Sequence, residues 1–85
     1  MNYRVLLESG AERDLQAIAE SLRDSIIQRI LSLRDNPHPP GCKKLSGTAH
    51  NWRIRSGDYR ILYAIEKRRK EVLVFRIKHR REAYR

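Results

Sequence analysis

Cysteine is almost absent from this 85-residue chain. The lone Cys42 excludes an internal disulfide and any multi-cysteine metal site, and its thiol reads as inert. Long apolar runs are missing as well, so no segment approaches the ~18–20 residues that cross a bilayer as a helix. The opening MNYRVLLESGAERD meets charge too early for a secretory signal, which points to a cytoplasmic protein with no membrane association. Proline occurs only at positions 37, 39 and 40. Nowhere do carboxylates cluster as a metal site needs, so no metal and no cofactor is expected. Repeats, low-complexity tracts and domain linkers are lacking, and a chain of this length makes one domain, residues 1–85, with a small core.

Positive charge is plentiful. Lys and Arg number 19 against 10 Asp and Glu, for a net +9. The distribution is lopsided. Residues 1–39 hold five arginines and six acids, a net −1, whereas residues 40–85 hold fourteen basic residues and four acids, a net +10. Such asymmetry predicts an anionic partner, nucleic acid first.

Asn2 to Leu7 reads as a strand. Ser9-Gly-Ala-Glu12 fits a capping box, in which the Ser hydroxyl and the Glu carboxylate each serve a free backbone N–H. Apolar residues then recur three or four apart at Leu15, Ile18, Leu22, Ile26, Ile30 and Leu33, one face of a helix. A single rod of that length would outreach a compact domain of this size. A second box-like signal, Ser21-Leu-Arg-Asp24, offers a break, so the spacing predicts a hairpin of two helices over 11–19 and 22–34. The proline-rich stretch 35–42 stops the helix. Three strand-like runs follow, about 51–55, 58–66 and 71–78. The order β-α-α-β-β-β predicts an α+β domain: an N-terminal strand, a two-helix hairpin, then a three-stranded antiparallel sheet.

Alternation along regular strands separates the faces. Trp52 and Ile54 point one way, with Tyr59, Ile61, Tyr63 and Ile65, and pack under the helices. In the last strand Leu73, Phe75 and Ile77 oppose Val72, Val74, Arg76 and Lys78. The open face then gathers Arg53, Arg55, Arg60, Arg76 and Lys78, and leaves Val72, Val74, Leu62 and Ala64 as apolar surface for a partner. A bulge in one strand would flip a set. Guanidinium groups suit phosphate: the planar fork bonds bidentately and keeps its charge near neutral pH. Preorganised cations can also stabilise the charge that develops in phosphoryl transfer. In RNA the neighbouring 2′-hydroxyl supplies the attacking group. Asp58 reads as a turn residue, Lys67-Arg68-Arg69-Lys70 as an exposed turn that could grip rRNA, and Trp52 and Tyr63 as core. Histidine is the residue type suited to acid–base work near neutral pH, and His79 and His50 are candidates for it.

The ordered set KKLSG (43–47), WRIRSGDYRILY (52–63) and VFRIKHRREAYR (74–85) resembles the RelE/ParE toxin superfamily of bacterial toxin–antitoxin systems. The likeness covers nearly the whole chain. It implies the microbial-ribonuclease-like RelE fold and a cognate antitoxin bound to the surface, with a toxin–antitoxin heterotetramer as one assembly. For RelE-like members it implies a metal-independent endoribonuclease that cleaves mRNA on the ribosome. There the 2′-hydroxyl attacks the adjacent phosphate and leaves a 2′,3′-cyclic phosphate. Carried over by motif, the catalytic set is Arg53, Arg55, Arg60, Arg80 (with Arg81 the alternative) and Tyr84, with His79 and Lys44 as proton-transfer candidates. Lys44, Arg76, Lys78 and Arg81 would contact RNA. Well-known members carry Lys where Arg53 and Arg55 stand. ParE-like members share the fold and inhibit DNA gyrase without cleaving RNA, which is one alternative; a basic RNA-binding module with no activity of its own is the other.

Overall fold

A computed structural model describes residues 2–83 of the chain. The elements run β1 (Arg4–Leu7), α1 (Ser9–Ala17), α2 (Glu20–Leu31) with a 3₁₀ turn at Ser32–Arg34, β2 (Lys43–Lys44), β3 (Asn51–Ser56), β4 (Tyr59–Glu66), β5 (Glu71–His79) and α3 (Arg80–Ala83). The predicted order is therefore observed, and the sheet is larger than expected. It has five strands in the order β1-β5-β4-β3-β2 and is mixed. β1 lies parallel to β5, with Arg4 opposite Glu71 and Leu7 opposite Val74. The two lysines of β2 add a short antiparallel edge to β3. Among the described residues no helix is long and apolar enough to cross a membrane.

The helical hairpin breaks where the length argument requires, by a different device. Neither capping box forms. α1 starts from Glu8 and α2 from Ala19, each with no side-chain cap. The break falls at Ile18, whose extended backbone buries its side chain in the core. Arg23, one turn into α2, donates to the Ile18 carbonyl at 2.9 Å and to the Gln16 carbonyl at 3.4 Å, answering the orphan C=O groups at the end of α1. Ile26 and Ile30 are buried, whereas Leu22, just after the break, stays 49% exposed.

The faces of β3 and β4 fall as alternation predicts, and the first half of β5 does not. Ile61 pairs with Ile77 and Leu62 with Arg76, but Tyr63 pairs with Val74, so the register shifts between Leu62 and Tyr63. Phe75 is the extra residue of this bulge. One inserted residue reverses every side chain on its N-terminal side. Val72 and Val74 therefore join Ile77 in the core with no exposure, and they offer no surface to a partner. The core consists of Ala11, Ile18, Ile26, Ile30 and Leu33 from the helical side against Ile54, Ile61, Tyr63, Ile65, Val72, Val74 and Ile77 from the sheet. Tyr63 is fully buried, and its hydroxyl donates to the Pro37 carbonyl at 2.7 Å, which pins the proline loop. Burial, and then the neighbouring Cys42 sulfur, push the Tyr63 phenol well above its usual range.

Candidate functional site

The β3–β4 hairpin turns on Gly57 and Asp58. Gly57 has φ +58° while Asp58 does not enter positive φ, a pattern that fits a turn with glycine at its first central position. Its two-residue loop sets the register that places Arg55 directly across from Arg60. On the other side Arg60 faces Lys78. Paired residues share a face, so Arg55, Arg60 and Lys78 form one row across three strands. The next row is Lys43, Arg53, Leu62 and Arg76.

The chain then returns to the turn. The Arg80 N–H donates to the Asp58 carbonyl at 2.7 Å, which seats α3 beside the hairpin tip. Arg55, Gly57, Asp58, Arg60, Arg80 and Arg81 line a cleft of about 340 Å³. Four arginines and a single carboxylate thus line one cleft. That carboxylate, Asp58, is mostly exposed and lies 4.0 Å from Arg80. Arg60 differs from the others in being only 7% exposed. Arg29 of α2 donates to the Arg55 carbonyl at 3.2 Å and fixes the backbone that carries that arginine. A cleft of this kind can take a phosphate, because the forks bond its oxygens and their charge offsets its own.

The remaining predicted residues disperse. Arg53 and Lys78 share the arginine face without lining the cleft. Arg76 reaches Asp14 of α1, its Nε 2.8 Å from Oδ2 and its Nη2 3.3 Å from Oδ1. Lys44 pairs with Trp52, and therefore lies on the opposite side of the sheet from Arg53. The sequence pointed to Lys44, yet Lys43 is the lysine that stands across from Arg53, and only the register of β2 reveals it. His79 pairs with Tyr59, on the face the helices cover, and the two rings meet edge to face at 5.3 Å. It lines a hollow with Leu22 and Ile26 that adjoins the arginine cleft through Gly57 and Asp58, and its Nδ1 accepts from the Arg81 N–H at 3.3 Å. His50 sits far along β3's other end, beside Trp52 and Lys67. Tyr84 lies outside the described residues. No group of three or more His, Cys, Asp or Glu among the described residues is arranged to hold a metal ion.

Comparison with known proteins bears on the family and the fold. The profile of the ParE toxin of the parDE type II toxin–antitoxin system matches residues 5–84. Toxin RelE of Mycobacterium tuberculosis is 31% identical over 84 residues, covering 98% of this chain and 87% of that protein. The toxin in the RelBE2 toxin–antitoxin complex of the same organism superposes with a TM-score of 0.83 at 26% identity, covering 93% of this chain and 99% of the other. The archaeal RelE–RelB complex of Pyrococcus horikoshii gives a TM-score of 0.82 at 27% identity, covering 94% and 97%. The chain belongs to the RelE/ParE toxin family of type II toxin–antitoxin systems.

Proposed function

We propose that this toxin is an endoribonuclease that cuts mRNA on the ribosome and is neutralised by a cognate antitoxin. The observation that carries the reading is the convergence of Arg55, Arg60, Arg80 and Arg81 on one cleft. The scissile phosphate sits among these forks. The 2′-oxygen attacks phosphorus, the new O2′–P bond forms and the P–O5′ bond breaks. The 2′-hydroxyl proton leaves to water, and the departing 5′-oxygen takes one up. The products are a 2′,3′-cyclic phosphate and a 5′-hydroxyl. Guanidinium groups keep their protons near neutrality, so their part is to orient the phosphate and stabilise the charge that builds on its oxygens. Arg53, Lys43 and Lys78, on the same face, supply salt-sensitive affinity for the RNA backbone. Tyr84 is assigned to the nucleotide by motif. An antitoxin partner follows from the RelBE2 and RelE–RelB complexes, in which relatives of this fold are bound.

One observation favours a second reading, inhibition of DNA gyrase in the ParE manner. None of the three histidines lines the arginine cleft, which leaves the chemical step without a group that titrates near neutrality among the described cleft residues. Induction of the toxin without its antitoxin, with mRNA 5′ ends mapped in the same cells, separates the two. Translation-dependent cuts that vanish in Arg60→Ala are the expected result. Growth arrest with intact mRNA and DNA damage would establish the gyrase reading instead.

A further inference from the structure

At the opposite end of β3 from the arginine cleft, and on the other face of the sheet, lies a hollow of about 390 Å³ that the proposed cleavage reaction does not use. His38, His50, Trp52, Glu66, Lys67 and Arg68 line it. The rings of His38 and Trp52 stand almost perpendicular, at 81° with centroids 4.6 Å apart, and form a right-angled notch. The indole is seated on the core, since Trp52 lies across from the buried Tyr63. It is therefore a rigid wall. Lys67 and Arg68 line the hollow from the exposed β4–β5 turn, and Glu66 offers a hydrogen-bond acceptor beside them. Its size falls within the range of small-ligand sites.

The chemistry is that of one nucleotide. A flat base lies on one aromatic wall and meets the other edge-on, as stacking platforms for single strands require. An exocyclic amine of the base has Glu66 as acceptor, and the phosphate has Lys67 and Arg68 as counter-charges. We propose that this notch is a second nucleotide-binding site, which holds one base and phosphate of single-stranded RNA away from the point of cleavage. The choice of RNA as the polymer rests on the function proposed above; the notch itself is a separate site that shares no residue with the cleft.

Trp52 is the only tryptophan in the chain, so its fluorescence reports on this notch. The test titrates the free toxin with a short 2′-O-methyl oligonucleotide, which cannot be cut because its 2′-oxygens are blocked. Saturable quenching of Trp52 is expected, retained in Arg60→Ala. The variant Lys67→Ala/Arg68→Ala, altered only at exposed turn positions, should bind about tenfold more weakly. Its log K against log salt should be shallower by about 0.7 for each phosphate that the variant no longer neutralises. Oligonucleotide binding seen by anisotropy without any change in Trp52 emission would overturn the proposal. So would equal quenching in the double variant, or quenching by the antitoxin and not by the oligonucleotide. Failure of mRNA cleavage with the quenching intact would count only against the ribonuclease reading. Cleavage without quenching would count only against the notch.

Discussion

Asp14 and Arg76 join α1 to the open margin of the sheet: one carboxylate takes the guanidinium and, at 2.8 Å, the backbone N–H of Ile77. β1 ends at Leu7, opposite Val74, so beyond that point β5 has no strand to satisfy it on this side. Asp14 stands in for the missing strand. An arginine that looks like part of an RNA-binding row in the sequence thereby serves the fold as well.

Replacing Asp14 by Asn should cost about 1–2 kcal/mol at neutral pH. Hydrogen bonds to charged groups are worth more than that when buried, but Arg76 is partly solvated. Burial works to raise the Asp14 carboxyl, and the bonds from Arg76 and Ile77 with the charges of Arg76 and Lys78 outweigh it, so the group sits below its usual value. A depressed carboxyl contributes stability that is present above its unfolded pKa and lost as pH falls through its folded one. Thermal melts between pH 7 and pH 2 should show the Asn variant losing less stability than the parent on the acid side.

Tyr63→Phe should lower stability by about 1–2 kcal/mol, because the buried Pro37 carbonyl loses its donor. That corresponds to roughly 4–16 °C in Tm for a domain of this size. In an alkaline absorbance titration of the parent, Tyr63 should ionise after the other tyrosines. A raised phenol stabilises the fold below its unfolded pKa and stops doing so as pH rises through the folded value.

Gly57→Ala tests the turn. Nothing lies within 4 Å of an added Cβ, so space is not at issue. The cost is that of φ +58° for an L-residue, about 1–2 kcal/mol. Because Asp58 seats Arg80, the variant should also lose cleavage activity beyond what its Tm predicts. An unchanged Tm would mean that the turn tolerates the side chain by changing type.

Arg60→Ala should reduce mRNA cleavage by about 10²–10³-fold, the usual cost of removing one preorganised charge stabiliser. Arg60→Lys should recover part of it. His79→Gln, on the helix-covered face, should leave cleavage within about tenfold of the parent while lowering Tm. A larger loss in a folded His79→Gln protein would bring that residue into the reaction. Single-turnover assays on programmed ribosomes, with circular dichroism melts alongside, measure each case.

Much of the fold was legible because its signals are local. Apolar spacing located the helices, and length alone demanded that they break. Alternation placed Arg53, Arg55 and Arg60 on one face and Ile54, Ile61 and Tyr63 on the other, and the structure agrees. What failed was non-local. The bulge at Phe75 is visible only in how β5 pairs with β4, and no feature of VLVFRIK announces it. It moved Val72 and Val74 from a presumed surface to the core. His79 stands two residues from Ile77, so alternation alone puts it behind the sheet; the acid–base chemistry open to histidine as a residue type, and not its place, drew it into the candidate set. That Lys43 shares a face with Arg53 and Lys44 does not depends on how a two-residue edge strand meets β3. The capping boxes failed for another reason: a serine followed by an acid is common in charged sequence, and here the chain starts each helix one or two residues earlier. The resemblance of GDYR and HRREAYR to a toxin family carried the arginine cleft further than strand alternation could, since Arg80 and Arg81 reach it only through α3.

The parallel pairing of β1 with β5 has a consequence for synthesis. Arg4 finds its partner Glu71 only after the 67 residues that follow it have been made. Pairings this distant in sequence form late, since the intervening loop must be closed first. While β5 is still inside the ribosome, the growing chain lacks the partner strand of β1, the row completed by Lys78, and the helix bearing Arg80 and Arg81. The arginine cleft, which Arg80 and Arg81 help to line, therefore cannot assemble before β5 and α3 are free to fold.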